Sequence, residues 1–173
     1  MKRKLALLTV FIIGLMSVMP AAQAKTGDIK GRAYHTDIVA YINNYAIPSY
    51  AVNGTSCVIA EDLRNFGFEV VWNKSEKTLN IYRNLNTIAF DMDVKKTGKP
   101  GSVYDYVYET DIVTYANGQQ IQSYAINGRT VVPIESLTMF GEVHWVSHER
   151  ALKMWIDGFN VRDGMQPVKQ YSK

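Results

Sequence analysis

The chain has 173 residues, 19 of them basic and 16 acidic, for a formal net charge of +3. Three of the basic residues, Lys2, Arg3 and Lys4, stand at the N-terminus, and setting that end aside leaves 16 basic against 16 acidic. A neutral remainder offers nucleic acid and anionic membrane surfaces no electrostatic hold, so binding to either is not expected.

After the basic triplet, Leu5 to Met19 is apolar, Pro20 breaks the run, and Ala22-Gln23-Ala24 gives a small-x-small cleavage pattern. These are the parts of an export signal over residues 1–24. The run is shorter than the ~20 residues of a membrane span. The expected product begins near Lys25, is secreted or cell wall-associated, and is not stably inserted in a membrane after cleavage. A single cysteine, Cys57, gives an exported chain no internal disulfide. It sits among apolar residues and reads as a small buried hydrophobe.

From Tyr34 onward the chain repeats itself. Tyr34 to Gly67 returns as Tyr108 to Gly141, every position 74 residues on and roughly half of them identical. Past the two glycines the match continues one residue out of step, with Trp72 on Trp145 and Leu79 on Leu152. A unit of this length used twice reads as a duplicated small domain rather than a solenoid.

Each copy predicts the order β-β-β-α-β-β. Asp37 to Ile42 alternates, Asn43-Asn44 turns the chain, and Tyr45 to Val52 returns; the second copy has Asn117-Gly118 at the turn. Asn53-Gly54 and Asn127-Gly128 make the next tight turns, followed by short apolar strands at Ser56 to Ile59 and Thr130 to Val132. A short helix comes next, with Glu61-Asp62 or Glu135 in its first turn and Pro133 near its first position. Leu63 and Phe66, like Leu137 and Phe140, share a face. Gly67 and Gly141 are expected as left-handed caps. Phe68 to Trp72 and Glu142 to Val146 are fourth strands; Thr78 to Tyr82 and Ala151 to Ile156 are the last. Thr87 to Val94 reads as an extra strand, and Val103 to Tyr108 as one that pairs with the second repeat. The divisions are a first repeat over 25–94, a linker over 95–102, a second repeat over 103–160 and a tail over 161–173.

The elements Asn53-Gly54, Gly67, Trp72 and Leu79, with Asn127-Gly128, Pro133, Gly141, Trp145 and Leu152, resemble the repeated N-terminal stalk domain of copper amine oxidases. The resemblance implies an α+β fold, in which each repeat is a five-stranded antiparallel sheet wrapped around one short helix. It also implies that Trp72 and Trp145 pack in the core, and that partner chains meet at such domains, so a weak homodimer is conceivable. The copies depart from the pattern at Glu135, where an Arg is usual, and at Ile59, which replaces a Pro. The oxidase chemistry does not carry over. It requires a modified Tyr and three copper-binding His, whereas Asn44-Tyr45-Ala46 lacks the acidic residue after the Tyr and the chain has three His in total.

No catalytic arrangement, metal site or cofactor is expected. His144 and His148 are four apart, but a strand and a turn intervene where a metal pair would need a helix. Asp37/Asp111 and Glu61/Glu135 recur in both copies and would be the carboxylates of a wall-acting hydrolase. Each also has a local structural explanation, as strand-edge polarity or as helix N-terminal charge. The tyrosines remain: Tyr104, Tyr106 and Tyr108 alternate and would share one strand face, with Tyr34 at the matching place in the first copy. Such rings suit glycan or peptide partners, or seal the interface between repeats. The expected function is a non-catalytic binding or spacer protein of the bacterial cell envelope, contacting wall polysaccharide or an envelope protein. The alternatives are the hydrolase and a secreted regulator or inhibitor of an extracellular enzyme.

Overall fold

In the computed structural model, the described residues are 26–84, 86, 92, 94 and 98–156. Among the described residues, fourteen strands run in chain order: β1 (Ile29–Tyr34), β2 (Val39–Ile42), β3 (Tyr45–Ile47), β4 (Ser49–Val52), β5 (Thr55–Ile59), β6 (Phe68–Asn73) and β7 (Thr78–Arg83), then β8 (Val103–Tyr108), β9 (Val113–Ala116), β10 (Gln119–Ile121), β11 (Tyr124–Ile126), β12 (Arg129–Pro133), β13 (Gly141–Val146) and β14 (Ala151–Ile156). Seven-residue 3₁₀ turns, Ala60–Phe66 and Ile134–Phe140, follow β5 and β12. A third, Ser147–Glu149, links β13 to β14.

The turn chemistry is as the asparagines demand. Asn43, Asn44, Asn53, Asn117 and Asn127 all have positive φ, as do Gly54, Gly118 and Gly128. Four two-residue hairpins result, of the primed kind whose twist matches the strands. Pro48 interrupts the expected return strand of the first copy, so Tyr45 to Val52 divides into β3 and β4, and the two join different sheets.

Those sheets correct the expected fold. A closed six-stranded barrel, β1-β4-β5-β12-β11-β8, takes three strands from each repeat. Two four-stranded sheets, β10-β9-β7-β6 and β13-β14-β2-β3, flank it, and each mixes both repeats. Strands take 55% of the described residues and helical turns 14%, so the chain is mostly β and no five-stranded sheet wraps a helix within a repeat. The reason lies in the duplication: both copies present the same strand edges, and an edge can pair with either copy. Here β7 pairs in parallel with β9, and β14 in parallel with β2, so each copy's last hairpin completes the other's sheet. Three-turn helices could have formed a separate layer; seven-residue 3₁₀ turns are too short to do so.

A pseudo-dyad relates the halves. It passes between Val58 and Val132, paired in the barrel wall, and between Arg32 and Tyr106, paired in the opposite wall; each pair is 74 residues apart. Two bulges are mates as well, at Lys30 in β1 and at Tyr104 in β8. The main core includes Val58 and Val132 together with Phe68 and the mate pairs Leu63/Leu137 and Phe66/Phe140. A second, smaller core fills the barrel: Ala33, Val52, Cys57, Ile59, Val107, Ile126 and Val131. The β5–β12 wall therefore faces protein, while the β1–β8 wall faces solvent.

Two further expectations are corrected. Trp72 and Trp145 are 44% and 48% exposed, on the edge strands β6 and β13, and lie outside the core. Gly67 is a left-handed cap with φ 93°, but Gly141 is extended at φ 162°. Gly141 is a glycine because a Cβ there would lie 1.8 Å from the Trp155 carbonyl oxygen. Pro133 closes β12 and is the cap residue of the second helical turn, next to its first position as expected. Most of the expected strand over 87–94, and the tail over 161–173, lie outside the described residues.

Candidate functional site

The four singled-out tyrosines divide between two places. The bulge at Tyr104 breaks the alternation of β8, because Val103 pairs with Tyr34 while Asp105 pairs with Ala33. Tyr104 thus leaves the expected row and packs against the barrel core. Tyr106 and Tyr108 stay outside, with ring centroids 6.5 Å apart. Tyr34 is the dyad mate of Tyr108 and also lies outside.

Together with their cross-strand neighbours these rings form a ladder across the outer barrel wall. Its rungs are Ile29 with Tyr108, Arg32 with Tyr106, and Tyr34 with Val103. Ile29 is 61% exposed, Val103 46%, Tyr106 43% and Tyr34 36%. The Arg32 guanidinium lies 5.8 Å from the Tyr106 ring centroid, a cation–π contact at the dyad itself. Sequence reading missed Ile29, Arg32 and Val103. Only Tyr34 and Tyr108 are identical between β1 and β8, yet extending the constant offset backwards from them would have found the rest.

At one barrel mouth, Tyr104 stacks on Tyr50 with centroids 4.2 Å apart and meets His35 edge-on at 5.3 Å. Burial, then the Tyr104 hydroxyl hydrogen bond, pushes the Tyr50 phenol well above its ordinary value. A 250 Å³ cleft opens beside them, lined also by Pro48, Ile59, Met92 and Arg129. At the mate mouth, Lys30 replaces Tyr104 and Glu109 replaces His35, and the two form an ion pair at 3.0 Å. The groove there holds 460 Å³ and is lined by polar side chains, among them Asn53, Gln120 and Gln122, with Tyr124 as its ring. The Gln122 amide donates to the Tyr124 hydroxyl at 2.5 Å.

The repeated carboxylates sit elsewhere. Asp37 takes the Arg150 guanidinium through both oxygens, at 2.6 and 2.8 Å. Its mate Asp111 takes Lys77, whose hydrogen bond holds the Asp111 carboxyl below its ordinary range. These pairs clamp the two exchanged hairpins, and backbone bonds from Val39 to Arg150 and from Val113 to Lys77 lie beside them. Thr36 and Thr110 accept the amides of Ile38 and Ile112 at 3.0 and 3.1 Å. The Thr-Asp-Ile-Val motif is thus a seam between copies. Glu61 accepts the Thr130 amide at 3.0 Å, and Asp62 pairs with Arg129 at 2.5 Å. The Glu61 oxygen left without a hydrogen bond still lies 3.9 Å from the Arg129 guanidinium, so it is compensated by charge. Glu135 is exposed, and its half has Thr55 where the other has Arg129.

His144 and His148 are exposed and each meets its own carboxylate, Glu142 at 2.8 Å and Glu149 at 3.6 Å. Among the described residues no three His, Cys, Asp or Glu side chains gather as a metal would need. Cys57 is fully buried in the barrel, and burial pushes its thiol up to about 12. Among the described residues no helix is long and apolar enough to cross a membrane.

No family model, curated protein or solved structure matches the chain.

Proposed function

We propose that this is an exported, non-catalytic binding or spacer protein of the bacterial cell envelope, and that the outer β1–β8 ladder is its contact face for wall polysaccharide. One observation carries the reading: Tyr34, Tyr106 and Tyr108 stand with Ile29 and Val103 on a barrel wall that no other element among the described residues covers. Flat rings on a rigid sheet stack on sugar faces at little entropic cost, while their hydroxyls and Arg32 supply hydrogen bonds. The stalk-like motifs, the N-terminal signal pattern and the engagement of Asp37, Asp111 and Glu61 in structural contacts fit a holding role better than a hydrolytic one.

Sedimentation of residues 25–173 with purified cell walls tests this. A Tyr34/Tyr106/Tyr108→Ser variant that stays folded should lose binding about tenfold or more, since stacked rings contribute on the order of 1 kcal/mol each. Equal binding by parent and variant would remove the ladder from the reading. No wall binding by the parent, with capture of a defined envelope protein, would turn the reading to a protein partner.

A further inference from the structure

Side-chain differences between the copies gather at the ionic mouth. Ala40, Ala46 and Pro48 of the first half become Thr114, Gln120 and Gln122 in the second, and these three line the 460 Å³ groove. What the second half gains there is hydrogen-bonding capacity. Gln120 and Gln122 are exposed, as is Asn53, which reaches the groove from the turn between β4 and β5. A carboxamide both donates and accepts, so the three together offer a mixed set of partners. The Gln122 amide, bonded to the Tyr124 hydroxyl at 2.5 Å, fixes a half-buried ring beside them.

Thr114 adds an independent sign. It is fully buried where it meets the groove, and its hydroxyl has no hydrogen-bond partner among the described residues. An unpaired buried hydroxyl costs stability, and Ala40 fills the mate position without one. The groove's charges, by contrast, are already matched: Lys30 holds Glu109 at 3.0 Å, and Lys77 holds Asp111. A charged ligand would have to break one of these pairs or stay uncompensated, so the groove favours a neutral, polar one.

We propose that this groove is a binding site for an uncharged saccharide that carries acetamido groups. The sugar face lies on the Tyr124 ring, and the acetamido N–H and C=O pair with the carboxamides of Asn53, Gln120 and Gln122. Sugar hydroxyls, which also donate and accept, take the groups that remain. The Ile29–Tyr108 rung stands next to Lys30 and Glu109, so a glycan strand on the outer ladder leads directly to the groove. The inference rests on the wall-contacting reading for the source of such a saccharide, and not on the ladder for its binding.

The test titrates residues 25–173 with a tetramer of N-acetylglucosamine and follows the side-chain amide signals by NMR. Saturable shifts of the Asn53, Gln120 and Gln122 signals are expected. Gln120→Ala with Gln122→Ala should weaken binding about tenfold, as the loss of two uncharged hydrogen-bonding partners requires. A tetramer of glucose, which lacks the acetamido group, should bind weaker by a similar factor. The Tyr34/Tyr106/Tyr108→Ser variant should keep the groove shifts, which separates this site from the ladder. No shifts at up to about 10 mM tetramer would overturn the groove site while leaving wall sedimentation to judge the ladder. Undiminished binding by the folded Gln120/Gln122 variant, or binding lost in the folded ladder variant alone, would overturn it as well. Equal affinity for the glucose tetramer would overturn the acetamido assignment.

Discussion

The two barrel mouths are built on one backbone and carry opposite chemistry. Positions 104 and 35 are Tyr and His at one mouth, and their mates 30 and 109 are Lys and Glu at the other. Both pairs do the same mechanical job, closing the end of a barrel next to a bulge. The aromatic mouth does it with stacked rings and a small, partly apolar cleft; the ionic mouth does it with a salt bridge and a wider polar groove. The pseudo-dyad thus fixes where side chains stand, and leaves each copy free to change what they do. At the mouths, a property traced to the backbone should appear twice, and one traced to side chains should appear once.

The largest asymmetry expected is at the glycines that end the helical turns. Gly67 needs its residue type for a left-handed φ, so Gly67→Ala should cost about 1–2 kcal/mol. Gly141 needs it because the β14 backbone occupies the space of a Cβ. Gly141→Ala must push two paired strands apart and should cost at least about 3 kcal/mol. Urea unfolding of the two variants checks the order; equal losses would mean that the β13–β14 pair yields easily.

Next come the mouths. Tyr50 is half-buried and stacked on Tyr104, so Tyr50→Ala should destabilise by about 2 kcal/mol, less than the 3–5 kcal/mol of a fully buried ring. Tyr124, in whose mouth Lys30 holds the place of Tyr104, lacks the stacking partner and should lose about half as much. Equal losses would show that the Tyr50–Tyr104 stack adds nothing beyond its buried area. The same comparison inside the barrel sets Cys57 against Val131. With its thiol at about 12 and no exposure, Cys57 should not react with a thiol reagent at about pH 8 until the chain unfolds.

Much of the local structure was legible in the sequence. The Asn-Gly turns, the apolar strands and the positions of both helical turns follow from residues that dictate backbone angles or bury one face, and these act over a few residues. The pairing partners were not legible. Nothing in Thr78 to Arg83 distinguishes an edge offered to its own copy from one offered to the other, because the duplication makes the two choices chemically alike. The tryptophans misled for a related reason: Trp72 and Trp145 keep the inward parity of Phe68 and Val70, but they stand beyond the end of the core. At the site, Tyr34, Tyr106 and Tyr108 were found because they are aromatic. The bulge that removes Tyr104 from their row depends on pairing with β1, which lies in the other repeat.

The smallest effects belong to the two clamps, and they differ in form. Arg150 meets Asp37 with two parallel contacts, whereas Lys77 meets Asp111 as a point charge. A fork that matches a carboxylate loses more when it is cut, so Asp37→Asn should lower the melting temperature more than Asp111→Asn. Both losses should shrink in about 1 M salt, which screens exposed charges. The sign of the pH dependence follows from the Asp111 carboxyl, held below its ordinary value of 3.8 by Lys77. A depressed acid favours the folded state above the unfolded pKa, and that advantage is lost as the pH falls through the folded pKa. Wild type and Asp111→Asn should therefore differ at about pH 7 and converge near pH 2. If the gap instead persisted in acid, Asp111 would be acting through hydrogen bonding or packing that does not depend on its charge, and the seam between the copies would be held by the backbone bonds beside it.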